Sequence, residues 1–383
     1  MAVYLDHNAS TPLHEDVLQA MLPVMQTMVG NPSSLHRFGR LQKDTIERAR
    51  QQVADLVSAN PNQVVFTSGG TEANNLLVKG MAASADINRM AISSVEHMAM
   101  LEPAAQIADT CAVDYIGVDR NGRVTPNTLE QAILPDTRLV SVMSANNETG
   151  VIQDIASLAE IAGRKNIWFH TDASQAAGKI DVSFKDWGVH AMTLSAHKLY
   201  GPTGAGALLV DKRLPLHALM HGGAQEHRLR AGTENVAAIA GFGAAAELAK
   251  KELNERAVHA LHLREALERG LAQIPQATVF AQDAQRLPNT VQFGVRGFDG
   301  ETLLMQLDRM GIAVSSGSAC TSGKTEPSHV LKAMGVPEEL ALSSVRVSFG
   351  KDNTIADAEK LLQALGEIID TTSKSAVMMA ATV

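Results

Sequence analysis

The sequence predicts an α/β protein with a large, mainly parallel sheet and a smaller α+β lobe. Three observations carry that expectation. Short apolar runs alternate with amphipathic helical stretches from about 64 to 210, the repeat of a parallel sheet covered by helices on both faces. An Ala-, Leu- and Glu-rich helical stretch at 235–271 then links this lobe to a second one. Finally, 383 residues exceed one ordinary core, so two lobes are expected rather than one.

In chain order, Val64-Val65-Phe66-Thr67 is β-branched and aromatic and reads as a strand, with a helix at 71–78 after it. A strand at 91–94 leads into a helix from His97. Further strands are expected at 139–143, 167–170 and 191–194. The second lobe has strands near 290–293 and 344–349 and helices near 301–310 and 355–369. There is no internal repeat. Residues 371–383 are small and polar with a Met-Met pair, and are expected to fray.

A hydrophobic content of 45% and a charged content of 19% are those of a soluble globular protein. The net charge of -8, with no run of Lys/Arg, argues against nucleic acid as a primary partner. It still allows a locally positive site for a small anion. The 2 cysteines, Cys111 and Cys320, are far apart, so neither a disulfide framework nor a cysteine zinc site is expected. A reducing cytoplasm is the matching compartment. Met1-Ala2-Val3-Tyr4-Leu5-Asp6-His7 has neither the basic start nor the apolar stretch of a signal peptide. No segment approaches the ~18 apolar residues of a membrane span.

Each chemically interesting cluster follows an expected strand or sits at its last residues, where open α/β sheets bind ligands. Phe66-Thr67-Ser68-Gly69-Gly70-Thr71 is a strand, a glycine turn and a helix start, able to hold an anion on free N–H groups or simply to cap a helix. It is not a Walker loop, and Gly201-Pro202-Thr203-Gly204-Ala205-Gly206 precedes a strand, which excludes a dinucleotide fingerprint. Asp172 ends an apolar strand. It could keep a pyridine nitrogen protonated, or cap a helix. His170, Asp172 and His197 also have the ligand types of a two-histidine, one-carboxylate iron site, although that leaves Lys198 unexplained.

Ser195, His197 and Lys198 group a hydroxyl, an imidazole and an amine on one turn: the first two suit a phosphate and the third an aldehyde. A lone lysine is usually a solvated surface residue, but the apolar strand before this one reverses that prior. His97, at a helix start, could stack on a planar cofactor and pass protons, or be structural. Asn147, in a polar turn, could orient a substrate or cofactor oxygen. Arg346, inside an apolar strand, needs an anionic partner, either a protein or a substrate carboxylate. Cys320 lies in a Ser/Gly-rich run suited to an accessible nucleophile.

Together these segments resemble the pyridoxal-phosphate-dependent cysteine desulfurases. The resemblance runs from Tyr4-Leu5-Asp6 to about residue 349. It includes Gly30-Asn31-Pro32-Ser33-Ser34-Leu35-His36, residues 67–75, 144–150 and 170–175, and Ser195-Ala196-His197-Lys198. It continues through Arg230-Ala231-Gly232-Thr233-Glu234-Asn235, residues 315–322 and Glu326-Pro327-Ser328-His329-Val330-Leu331. The block at 230–235 and the residues after Cys320 look most like the nitrogenase-associated branch.

The resemblance implies an aspartate-aminotransferase-like fold, with a large cofactor-binding domain at 12–255 and a small domain made of 1–11 and 256–383. It implies pyridoxal 5'-phosphate as cofactor and no intrinsic metal. Lys198 would carry the cofactor and abstract the substrate Cα proton. Asp172 would pair with the pyridine nitrogen, Gln175 with the phenolic oxygen, and His97 would stack on the ring as acid/base. Gly70, Thr71, Ser195 and His197 would bind phosphate, with Thr233 reaching in from a second subunit of a homodimer. Asn147 and Arg346 would hold L-cysteine, and Cys320 would take its sulfur as a persulfide, releasing alanine. Sulfur acceptors such as an iron–sulfur scaffold would be the partners, with neither nucleic acid nor membrane. A selenocysteine lyase, another β-eliminating enzyme of the same fold, and a non-catalytic sulfur carrier are the competing readings. Cys320 argues against the first two, and joint retention of Lys198, Asp172 and His97 against the last. Ser10 stands where the family usually has threonine; it keeps a hydroxyl, so little effect is expected.

Overall fold

The structure is a computed structural model that describes residues 2–27, 29–316 and 326–380, the segment 372–380 by its backbone alone. The chain opens with β1 (Val3–Tyr4), α1 (Glu15–Gln26) and α2 (Arg37–Leu56). The βα repeat follows with β2 (Val64–Thr67), α3 (Gly70–Ala82), β3 (Arg89–Ser93), α4 (Met98–Ile107) and β4 (Ala112–Ile116). It continues with α5 (Pro126–Ala132), β5 (Leu139–Ser141), α6 (Ile155–Arg164), β6 (Trp168–Asp172), β7 (Ala191–Ser195) and β8 (Gly206–Val210). These strands form one sheet in the order β2-β8-β7-β6-β5-β3-β4. The expected strands are all present.

The sheet is parallel except at β8, which runs antiparallel to both β2 and β7. The reason is length: the 196–205 connection is too short for the crossover that a parallel return needs. β5, β7 and β8 are buried along their whole length and β6 from Phe169 onward, as strands covered on both faces must be.

The stretch expected as one linking helix is two, α7 (Val236–Lys251) and α8 (Leu253–Leu271), which meet at Glu252. The break lets each half serve a different core. α7 packs on α1 and α2 so closely that a Cβ on Gly243 would lie 2.6 Å from the Ala49 Cα. α8 instead puts Leu263, Leu267 and Leu271 into a second core with Phe293, Val345 and Leu361. That core covers an antiparallel sheet of β9 (Ala277–Val279), β10 (Thr290–Val295), β12 (Ser315–Ser316) and β13 (Ser344–Ser348), after α9 (Gly300–Arg309) and β11 (Ile312–Ala313). The short helices α10 (His329–Ala333) and α11 (Glu338–Leu342) precede β13, and α12 (Ile355–Ala380) follows it. The expected frayed tail from 371 is therefore corrected: α12 continues to Ala380, with no Gly or Pro between 371 and 380 to stop it. Residues 381–383 lie outside the described residues.

β1 belongs with this second core, pairing in parallel with β11 and burying Val3 and Leu5. Residues 6–11 then pass between the two sheets. Asp6 bridges Ser348, and the Thr11 N–H donates to the His197 carbonyl at 3.0 Å. No helix among the described residues is long and apolar enough to cross a membrane.

One buried ion pair shapes a wall of the large lobe. Arg50 Nη2 meets Glu226 Oε1 at 2.7 Å, and Glu226 Oε2 accepts from the Phe66 N–H at 2.7 Å. Glu226, His227 and Arg228 are three successive non-glycine residues at positive φ, each unfavourable by about 1–2 kcal/mol. The ion pair holds that turn and the loop to Thr233 after it. Glu226→Ala should lower the unfolding free energy by about 3–5 kcal/mol, because it strands the Arg50 charge. Urea unfolding that changes by less than about 1 kcal/mol would show the pair to be dispensable.

Candidate active site

The site forms beyond the carboxyl ends of β2, β6 and β7. Gly70 opens α3, and among the described residues no side chain caps that helix N-terminus, which leaves its first N–H groups for an anion. The turn must lie close to β8, because a Cβ on Gly206 would fall 2.6 Å from the Gly69 backbone. A Cβ on Gly70 would lie 3.3 Å from Ser174 Oγ and 3.6 Å from the Ser195 Cβ, so three segments converge here. Ser174 Oγ is buried without a hydrogen-bond partner among the described residues. His197 completes this wall, with Nδ1 3.3 Å from Ser10 Oγ. Burial, then Lys198, His97 and Lys179, bring its pKa down to about 4, so the ring is neutral near pH 7. Thr71 is exposed at the mouth.

Asp172 ends β6 and is 7% exposed. Its Oδ1 accepts from the Ser174 N–H at 2.9 Å and its Oδ2 from Asn74 Nδ2 at 2.8 Å. The carboxylate thus holds a turn rather than capping an α-helix, and each oxygen keeps lone pairs for a further donor. His97 caps α4, with Nδ1 accepting from the Ala99 N–H at 3.0 Å. Desolvation in the cleft lowers its pKa; Asp172 opposes this, while Lys198, His329 and Arg346 reinforce it.

The iron alternative does not assemble. His170 uses both ring nitrogens on hydroxyls, Nδ1 with Ser141 Oγ at 2.8 Å and Nε2 with Thr193 Oγ1 at 3.1 Å. No group of three or more His, Cys, Asp or Glu able to hold a metal ion occurs among the described residues.

Lys198 stands on the single 3-10 turn Ala196–Lys198 that follows β7. Its Nζ donates to the carbonyls of Asn8 at 2.6 Å and Ala9 at 2.8 Å. Burial, then Arg346, lower its pKa to about 8, against the opposing pull of Asp6 and Asp172. In protein free of any bound aldehyde, the neutral amine should therefore grow with a midpoint near pH 8, well below an ordinary lysine. Amine-modification rates at Lys198 measured against pH check this; a midpoint above about 10 would contradict it. The Asn8 carbonyl also accepts from Gln175 Nε2 at 2.9 Å.

Arg346, on β13, pairs Nη2 with Asp6 Oδ1 at 2.7 Å, so a protein carboxylate already meets one edge of the guanidinium. Nη1 donates to the Asn147 carbonyl at 3.2 Å, and Nε is buried with no partner among the described residues. Asn147 thus contributes its backbone carbonyl, which also accepts from Asn8 Nδ2 at 3.2 Å.

Two further expected site residues are Thr233 and Cys320. Thr233 is exposed before α7, and among the described residues no hydrogen bond or ion pair links it to the others. Cys320 lies outside the described residues, but both flanks are defined. Ser315 pairs with Arg346 across β12 and β13. On the return, Ser328 Oγ donates to Glu148 Oε2, and His329 Nε2 lies 2.9 Å from the Glu96 carbonyl. The other thiol, Cys111, is buried in the large lobe and its pKa is raised by that burial.

Asp6, Asn8, Asn74, Ser174, Lys179, Glu148 and Ser328 were not singled out by role from the sequence. The polar run 6–10 directly after an apolar start was a usable signal for the first two. Nothing local marks Lys179.

Residues 3–361 match the family described as Aminotransferase class-V. A protein named Cysteine desulfurase IscS from Methanosarcina thermophila is 44% identical over 371 residues, 96% of this chain and 92% of that protein. A solved structure described as a NifS-like protein superposes with a TM-score of 0.91 at 36% identity, covering 97% of this chain and 100% of that one. Another, SspA in complex with cysteine, has a TM-score of 0.81 at 30% identity over 92% of this chain and 100% of that one.

Proposed function

This chain belongs to the aminotransferase class-V family and is a cysteine desulfurase, and we propose that pyridoxal 5'-phosphate bound by the residues above serves its reaction. The carrying observation is the placement of Lys198, with its lowered pKa, among Asp172, Asp6 and Arg346 beside an uncapped helix start. The residues fit that cofactor. The unpartnered Ser174 Oγ and the free N–H groups of α3 suit a phosphate, and the paired but unsaturated Asp172 suits a pyridinium N–H. When bound, the cofactor supplies an electron sink for the substrate Cα.

The chain's own residues divide the rest. Lys198 holds the cofactor aldehyde covalently and moves the proton at the substrate Cα. Asp172 would pair with the pyridine nitrogen and Gln175 with the phenolic oxygen, while His97 would stack on the ring as acid/base. Gly70, Thr71, Ser195 and His197 bind phosphate. Arg346 offers its free Nε edge to the substrate carboxylate, beside Asn147. The net change is balanced: L-cysteine and the Cys320 thiol become L-alanine and a Cys320 persulfide. Purified protein given L-cysteine should be yellow, absorbing near roughly 400 nm, and release alanine in step with transferred sulfur. A colourless protein that stays inactive after adding the cofactor would overturn this reading.

The two cores support a division into 12–255 and 1–11 with 256–383. Thr233 would complete the phosphate site of a second subunit. Met25, Val29, Leu35, Phe38 and Leu41, exposed apolar residues from the end of α1 into α2, favour such a homodimer. Light scattering that finds an active monomer would refute it. The sulfur then passes to an acceptor protein such as an iron–sulfur scaffold, in the cytoplasm.

A further inference from the structure

The geometry points to Lys179 as a positioning residue of this reaction, one that sets which edge of the Gln175 amide faces the cofactor. The inference rests on the desulfurase reading above and adds a residue to it. Lys179 is half-buried, just after the left-handed turn at Gly178, where a Cβ would lie 2.7 Å from Leu199 Cδ2. Its Nζ donates to Gln175 Oε1 at 2.6 Å and to Asn8 Oδ1 at 3.1 Å. As an ammonium a lysine head can only donate, and as a neutral amine it still has the two N–H groups used here. Gln175 Oε1 is therefore held on Lys179. Its Nε2 is held on the Asn8 carbonyl at 2.9 Å, which keeps one amide hydrogen free for an anionic oxygen of the cofactor. With the amide reversed, an amide N–H would face the Lys179 donors and an oxygen would face the Asn8 carbonyl. The contact at the Asn8 carbonyl would then be repulsive, and so would the one at Lys179 in its ammonium form.

The same lysine stitches the two lobes. Asn8 lies on the 6–11 segment, and its Oδ1 also accepts from Asn289 at 3.1 Å. The charged surroundings are fully cationic on one side. Lys198 and Arg346 face Lys179 and, after burial itself, lower its pKa well below the usual lysine value. Lys179 in turn acts on His7 and His197. Asp6 and Asp172 oppose this around Lys198, His97 faces Lys198, and Arg256 and Lys351 line the cavity behind both lysines.

The test is a pH titration of the visible cofactor band in the holoenzyme, which reads the proton at the lysine–cofactor linkage rather than turnover. Donation to the phenolic oxygen favours the deprotonated linkage, so Lys179→Met should raise the midpoint by about one pH unit, a tenfold change in proton affinity. Lys179→Arg, which can still donate to Gln175 Oε1, should restore most of it. In a Gln175→Leu background the Lys179→Met shift should vanish. A shift under about 0.2 unit with a normal wild-type band would overturn the inference, as would a shift that persists undiminished in Gln175→Leu. A wild type with no band would instead sink the desulfurase reading. Should Lys179→Met not fold, Lys179→Leu likewise carries no donor, and the same midpoints apply.

Discussion

Lys198→Ala is expected to abolish turnover of L-cysteine, with a fall of at least about 10⁴-fold, since on the roles proposed for it a covalent carrier and a proton-transfer group would be lost together. The variant should also lose the absorbance near roughly 400 nm while keeping loosely bound cofactor. Its fold should survive. Among the described residues Lys198 donates only to the carbonyls of Asn8 and Ala9, and its charge is held at a desolvation cost that alanine does not carry. Absorbance, alanine release and a thermal melt on one preparation separate these effects. Retention of even about a tenth of the wild-type rate would mean that another amine does the work, and Lys179 would be the first to examine.

Cys320→Ala should leave the visible band and the spectral response to L-cysteine intact, because Lys198, Asp172 and Arg346 are untouched. It should lose the persulfide and reduce sulfur release by about 10²-fold or more, since no other thiol stands at the site. Cys111 is no substitute, being 1% exposed inside the large lobe. Mass spectrometry after a short cysteine pulse reads the adduct directly. A sulfur adduct on Cys111, or full activity in the variant, would show that the wrong thiol carries the sulfur.

Much of this site was legible because chemistry and strand ends coincide along the chain. Asp172 closes β6, Lys198 follows β7 within one turn, and Gly70 opens α3 directly after β2. A strand end is a local pattern, and so is an anomalous polar residue placed on it. The break at Glu252 was not legible, since no Gly or Pro marks it. The helix divides there because α7 and α8 have different cores to fill. The helical backbone of 371–380 was misjudged from its small polar residues, which are compatible with a helix once one has been started by the apolar face before them.

Composition, the order of the βα units and the residue types at strand ends were determined by the sequence itself, since each depends on neighbours within a few positions. Pairing was not. Arg346 needed an anion, and only folding decided that Asp6, 340 positions away, supplies one. Lys198 needed a desolvated setting, and it is the 6–11 segment, brought in by β1 pairing with β11, that supplies its acceptors. A role for Gln175 was implied by the family resemblance, but the lysine that holds its amide sits beside Asn8 only when both lobes close around that segment. Hydrogen-bond partners are chosen by distance in space, to within a few tenths of an ångström, and a linear chain carries no local mark of which remote residues will satisfy that demand.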